Sequence, residues 1–213
     1  MIPCEIVLEH IKLRYPPAYV REDYLKCLWT YASWLPTPAT VVEIGTQYGC
    51  SLVTMAAALH GTGSRLYGID PVFATGTFTY PDLHAPYRLT QVSSEEKVRE
   101  LARACGISDE EIILIPERSW DFLPKWNQML NLLLIDGEHT REAVLKDLEF
   151  TKFMKVGAYL VMDDWLAEIS QTTFAFMIQK PFRLLHESTT APTDKYLVTI
   201  FEKTNDNEIK EVS

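Results

Sequence analysis

The sequence predicts an α/β fold, a doubly wound Rossmann-like sheet of seven strands that is mostly parallel, with an antiparallel C-terminal edge strand and helices on both faces. Three observations predict it. Short apolar runs alternate with longer segments of helical period from Thr40 to Gln179, the pattern of strand–helix–strand units around a parallel sheet. The run from Leu132 to Ile135 is wholly apolar, as a strand buried on both faces must be. The last two strand-like runs are joined without a helix, so they pair antiparallel.

Taken in order, the elements begin after the pair Pro16 and Pro17. From Arg21 to Leu35, residues Tyr24, Leu25, Leu28, Trp29, Ala32 and Leu35 share one helical stripe, a helix that packs ahead of the main fold. Thr40 to Ile44 reads as the first strand, Ser51 to Leu59 as a helix, and Arg65 to Ile69 as the second strand after the turn Gly61-Thr62-Gly63. Ser93 and Glu96 form a capping-box pair at the start of a helix that runs to Ala104 and stops at Gly106. Ile112 to Ile115 is the third strand and Leu132 to Ile135 the fourth, followed by a helix from Thr140 to Met154. Ala158 to Met162 is the fifth strand, Leu166 to Gln179 a helix, and Phe182 to Glu187 with Leu197 to Glu202 the closing pair.

Three divisions follow: an N-terminal helical segment over residues 1–37 that packs on the core, the main domain over 38–203, and a polar, frayed tail over 204–213. Within the main domain, Pro71 to Gln91 has no period but carries Phe73, Phe78, Tyr80, His84 and Tyr87. A stretch this long without secondary structure is either disordered or a lid over a site.

Composition narrows the function. The 213 residues suit one domain, and 47% hydrophobic with 23% charged residues is ordinary for a globular core. With 20 basic and 29 acidic residues the net charge is -9, and no basic run is present, so nucleic acid and anionic membrane are not expected partners. Cys4, Cys27, Cys50 and Cys105 lie far apart without zinc-ligand spacing, as reduced thiols would. Neither a signal-peptide pattern nor an apolar run of about 20 residues is present, so a cytoplasmic location is expected. Trp29 and Trp34 on the first helix would form part of a homo-oligomer contact if exposed.

In open parallel sheets ligands sit beyond the carboxyl ends of the strands, and five strand ends stand out. After the first comes Glu43-Ile44-Gly45-Thr46-Gln47-Tyr48-Gly49, whose glycines allow a tight turn and present amides to a ligand at a helix start. Asp70 follows the second strand, placed either to hold a ribose diol or to cap a turn. Ser119 and Trp120, after the third, would contact an adenine or else make a short capped turn around a core tryptophan. The fourth and fifth strands are followed by Asp136-Gly137-Glu138-His139 and by Asp163-Asp164-Trp165. Carboxylates converging at neighbouring strand ends repel unless a cation or a cationic substrate offsets them, and such hard oxygen ligands suit Mg²⁺ or a similar divalent ion. His139 could take a proton from a metal-bound hydroxyl, since an unperturbed imidazole with a pKa of about 6.5 is mostly neutral at pH 7; the alternative is a helix cap. Cys50, at a helix start, is read as a packing residue.

Together these residues resemble the class I methyltransferases, and more narrowly the branch that includes the metal-dependent macrocin-type sugar O-methyltransferases. The resemblance spans about residues 38–203. Its most specific stretch is Ile135-Asp136-Gly137-Glu138-His139, followed by Asp147-Leu148 and by Gly157 with Met162-Asp163-Asp164. Glu43, Gly45 and Gly49 match the family's first motif, and Asp70 with Pro71 its second. The resemblance implies S-adenosylmethionine as cofactor, with Gly45 and Gly49 facing its methionine part and Asp70 its ribose. Glu43, Thr46, Tyr48, Ser51, Ser119, Trp120 and Asp136 complete the expected cofactor contacts. It also implies a divalent metal on Asp136, Asp163 and Asp164, and His139 as general base, with Asp136 beside it, toward the hydroxyl of a small-molecule acceptor such as a sugar or natural product. Arg141 stands where many relatives carry an aromatic residue, which points to a negatively charged acceptor. Two other readings compete: a nicotinamide-dependent oxidoreductase, disfavoured because the glycine spacing is not G-x-G-x-x-G, and a cofactor-binding protein without catalysis, which would have no use for clustered acids.

Overall fold

The structure, a computed structural model, describes residues 1–15, 21–75, 94–163, 173, 175–177, 180–189 and 197–205. Its sheet has seven strands: β1 (Thr40–Ile44), β2 (Arg65–Ile69), β3 (Ile112–Ile115), β4 (Leu130–Ile135), β5 (Met154–Met162), β6 (Phe182–Thr189) and β7 (Leu197–Lys203). They lie in the order β3-β2-β1-β4-β5-β7-β6. The five strands from β3 to β5 pair in parallel, whereas β7 pairs antiparallel with β5 and with β6. The expected doubly wound sheet with its antiparallel edge is therefore present, with two antiparallel strands closing it.

Strand alternation sorts the core into two layers. Val41, Leu66, Leu132, Leu134 and Val161 face one side, against α1 (Cys4–Arg14), α2 (Glu22–Ser33), α3 (Cys50–Leu59) and α5 (Ser94–Ala104). Val42, Ile44, Tyr67, Ile69, Leu133, Ile135 and Met162 face the other, against Trp126, Val144, Leu148 and Phe150. Because side chains alternate with period two, consecutive residues of each central strand serve opposite layers. That explains the unbroken apolar run in β4.

Within the expected N-terminal helical segment, α1 is a second helix ahead of the one read from Arg21 to Leu35. Its buried side chains Cys4, Val7, Leu8 and Ile11 follow the spacing i, i+3, i+4, i+7 of a single apolar stripe, but Glu5 and Glu9 interrupt it in sequence. Tertiary bonds anchor it: the Ile2 amide donates to the Ala57 carbonyl at 2.8 Å, and the Trp29 indole donates to the Ile2 carbonyl at 3.0 Å. Trp29 thus serves an intramolecular bond, while Trp34 is 62% exposed.

The helix expected over Thr140–Met154 is shorter. α7 covers Arg141–Asp147 and gives way to a 3-10 segment, Leu148–Phe153, before β5 begins at Met154. Met154 pairs with Leu130, and the ladder shifts register before Leu132. Lys203 fixes this corner by donating to the carbonyls of Thr151 at 3.3 Å and Met154 at 2.8 Å, a contact from the far end of the chain.

Two short helices follow other strand ends, α4 (Val72–Thr75) after β2 and α6 (Ser119–Phe122) after β3. Most of the expected lid over Pro71–Gln91 lies outside the described residues, as do Ser93, Asp164, Trp165, the tail beyond residue 205 and most of the helix expected over Leu166–Gln179. Among the described residues no helix is long and apolar enough to cross a membrane.

Candidate functional site

The winding of the sheet reverses between β1 and β4, so the two loops leaving these strands part and open a crevice at their carboxyl ends. One residue beyond each strand, the backbone still bonds as part of the ladder. Gly45 donates to Ile69 at 3.0 Å, Asp70 to Ile115 at 3.0 Å, Asp136 to Ile44 at 2.9 Å and Asp163 to Ile135 at 3.1 Å. The four residues therefore stand in one row across the crevice. With neighbouring strands about 4.8 Å apart, the row brings together Asp70, Asp136 and Asp163, which are distant in sequence.

The loop after β1 is held in an open, amide-rich form. Gly45 has φ +89° and Gly49 has φ +77°, and Gln47 adopts φ +48° between them. Gly45 is packed against the β4 loop: a Cβ there would lie 2.0 Å from the Asp136 carbonyl oxygen. A side chain at this point would force β1 and β4 apart. The Asp70 carboxylate braces the same loop, with Oδ2 accepting from the Gln47 amide and Oδ1 from the Val72 amide, both at 2.8 Å. Burial raises its pKa from the ordinary aspartate value, and the two amides oppose the shift. Asp70 thus caps the turn into α4, and because each carboxylate oxygen has a further lone pair it can still accept from a ligand hydroxyl.

Glu43 lies beneath this loop, fully buried, and accepts a very short bond at Oε1 from the Ser51 hydroxyl. Burial pushes its pKa up to about 8, against which the Ser51 bond acts. At neutral pH the group is mostly protonated. Glu43 Oε2 and Thr46 Oγ1, both buried, lie beside one another under the loop, and the Thr46 hydroxyl joins the Ser51 bond in opposing the shift. Ser51, by contrast, is engaged with Glu43 rather than turned toward the crevice. Tyr48 is also drawn inward: it stacks on Tyr15 with ring centroids 5.7 Å apart, and the Lys97 ammonium lies 4.7 Å from its ring centroid.

Beyond β4, His139 Nε2 stands 3.8 Å from Asp136 Oδ1, and both side chains are about a quarter exposed. The capping role open to His139 falls to Thr140, whose Oγ1 accepts from the Ala143 amide at 3.3 Å as the N-cap of α7. The imidazole is thereby left at the crevice beside Asp136.

Ser119 and Trp120 divide their tasks. Ser119 is buried and its hydroxyl donates a very short bond to Asp147; burial raises the Asp147 pKa to about 7, with the Ser119 bond opposing. The pair ties the loop after β3 to α7, below Gly137, where an added Cβ would lie 3.4 Å from Asp147 Oδ2. Trp120 is partly exposed, with Arg118 Cζ at 5.1 Å and Lys146 Nζ at 4.8 Å from its ring centroid. Cys50 follows the packing reading: burial pushes its thiol up to about 12, which removes any nucleophilic thiolate.

Of the donor set expected for a divalent metal, Asp136 and Asp163 fall within the described residues. Asp136 and Asp163 are neighbours in the row, but both oxygens of Asp163 accept from Arg21 Nη1 at 2.9 Å. Asp164 lies outside the described residues, and among those described no group of three or more His, Cys, Asp or Glu side chains is placed to hold a metal. As arranged, Asp163 does not fit the ion, because the charge the ion would offset there is already offset. Arg21, the N-cap of α2, and Tyr24 in its first turn also stand at this row, where the apolar stripe of α2 marks Tyr24 only as a packing residue. No local motif marks them, since only the packing of α2 carries them to β5.

The profile of a methyltransferase-domain family matches residues 42–165 of this chain. Among solved structures, the O-methyltransferase TomG of Streptomyces achromogenes, involved in tomaymycin synthesis and bound to S-adenosylmethionine, is 19% identical with a TM-score of 0.63, over 94% of this chain and 88% of TomG. The Podospora anserina methyltransferase PaMTH1, bound to S-adenosylhomocysteine, is 14% identical with a TM-score of 0.65, over 96% and 89% of the two chains. An rRNA methylase from Streptococcus thermophilus is 14% identical with a TM-score of 0.60, over 90% and 99%.

Proposed function

The chain belongs to this methyltransferase-domain family of S-adenosylmethionine-dependent enzymes, and from that premise we propose that it methylates a hydroxyl oxygen of a small-molecule acceptor. The observation that carries this reading is the Asp136–His139 pair, with His139 Nε2 3.8 Å from Asp136 Oδ1, at the end of β4 and next to the glycine loop of β1. The cofactor's bound form supplies a methyl group on a sulfonium, an electrophile that needs only an oriented oxygen nucleophile. Gly45 and the open loop it permits would hold the methionine part, and Asp70 would accept from the ribose hydroxyls.

The remaining chemistry belongs to the protein. His139 Nε2, with the Asp136 carboxylate beside it, would receive the proton that the acceptor hydroxyl loses on methylation. Fixing the acceptor in line against the cofactor supplies the larger share of the rate, through near-attack geometry. A net charge of -9 supports a small acceptor over an RNA, whose phosphates the protein would repel. The divalent metal implied by the resemblance finds no support in the placement of Asp163, so no step is assigned to it.

The test is calorimetric titration of the purified chain with S-adenosylmethionine and with NAD, followed by a screen of hydroxyl acceptors for S-adenosylhomocysteine release. Binding of S-adenosylmethionine but not NAD, with turnover on a hydroxyl compound and none on RNA, is the expected outcome. Binding of NAD alone would overturn the reading.

A further inference from the structure

α2 reaches the row of strand-end carboxylates with two side chains. Arg21, the residue that precedes Glu22–Ser33, donates through Nη1 to both oxygens of Asp163 at 2.9 Å, where Asp163 is only 5% exposed. Its guanidinium carbon lies 4.7 Å from the Tyr24 ring centroid, a cation–π contact that fixes the guanidinium plane. Tyr24 is itself more than nine-tenths buried, and its hydroxyl has no hydrogen-bond partner. Burial and the nearby Asp163, Asp136 and Glu43 hold that phenol protonated. α2 thus brings a permanent cation and a neutral O–H donor to the ends of β4 and β5.

A divalent ion and this arginine compete for the same charge. An ion bound to an Asp163 oxygen at about 2.1 Å would stand against a guanidinium already bonded to that oxygen, two cations on one carboxylate with little solvent to screen them. Arginine cannot relieve the conflict by losing its proton, because its pKa lies above about 12. Nor does removal of the metal leave the acids uncompensated, since Arg21 neutralises the more buried of the two.

We infer that Arg21 occupies the place of the divalent metal in this chain, so that the acceptor is bound against Arg21, Tyr24 and His139 and methylated without a metal ion. The inference rests on the methyltransferase reading for its chemistry, but its test does not. The Tyr24 hydroxyl serves as a donor to the acceptor, and Arg21 is a positioning residue that holds Asp163.

Full-length wild type, Arg21→Ala, Arg21→Lys and the double variant Arg21→Ala with Asp163→Asn are titrated with Mn²⁺, and free Mn²⁺ is read by electron paramagnetic resonance. Wild type and Arg21→Lys are expected to bind no stoichiometric Mn²⁺, Arg21→Ala to gain one site, and the double variant to lose it. A one-to-one site in wild type, or an Arg21→Ala protein that binds none while its circular dichroism matches wild type, would overturn the inference. Should Arg21→Ala fail to fold, Arg21→Gln takes its place under the same two criteria. Calorimetry with S-adenosylmethionine on the same samples separates the two readings, because loss of cofactor binding in wild type would sink the methyltransferase assignment and leave the Mn²⁺ result standing.

Discussion

Replacing Gly45 with alanine puts the junction of β1 and β4 to a direct test. Two costs add. An L-residue at φ +89° is strained in the left-handed region by about 1–2 kcal/mol. The new Cβ would also lie 2.0 Å from the Asp136 carbonyl oxygen and 2.7 Å from Gly137 Cα. Both are backbone atoms that no rotamer change can move, and forcing extra volume into a packed site costs about 1–3 kcal/mol. The sum, about 2–5 kcal/mol, corresponds to a fall in melting temperature of roughly 4–20 °C for a chain of this length. Function should suffer more than stability. Displacing Asp136 and the β1 loop by about 1 Å would reduce turnover on the order of 100-fold, and S-adenosylmethionine affinity should fall in parallel. Thermal unfolding followed by calorimetric titration reads both quantities. A Gly45→Ala protein that melts within about 2 °C of wild type and binds the cofactor equally well would refute the argument that this contact sets the site.

Three further predictions concern single side chains. Glu43 keeps its proton to about pH 8 when folded, against an ordinary value of 4.5. The folded state therefore holds more protons between these values, and wild-type stability should be full below 4.5 and decline as pH rises through 8. Glu43→Gln cannot ionise, so its melting temperature should gain on wild type by an amount worth on the order of a few kcal/mol between pH 5 and 9; parallel curves would remove the assignment. Asp70→Ala frees the Gln47 and Val72 amides and should weaken S-adenosylmethionine binding tenfold or more, about 1.4 kcal/mol or greater, as read by calorimetry, and unchanged affinity would withdraw the ribose role. His139→Ala should lower kcat by about 10²–10⁴-fold with cofactor affinity and melting temperature held, and full turnover on the true acceptor would end its role as base.

Much of this fold was legible because it is encoded locally. β1, β2, β4 and β5 end where apolar runs meet glycine or acid, and the strand-end rule then points to Asp70, Asp136 and Asp163 without any coordinates. The helix starts and stops around Gly49, Gly106 and Thr140 are likewise local. The conversion of Leu148–Phe153 to a 3-10 segment was not legible, because Lys203 from β7 closes that corner. The Ser119–Asp147 bond was not legible either, since it joins two elements 28 residues apart.

Periodicity and φ preference act within a few residues, and they set which residue stands at the end of each strand and which glycines free the backbone there. What neutralises those carboxylates is a matter of packing. Arg21 and Asp163 are 142 positions apart, and an ion pair depends on distance in space. The spacing of residues along a chain leaves that distance open until α2 has packed against the sheet.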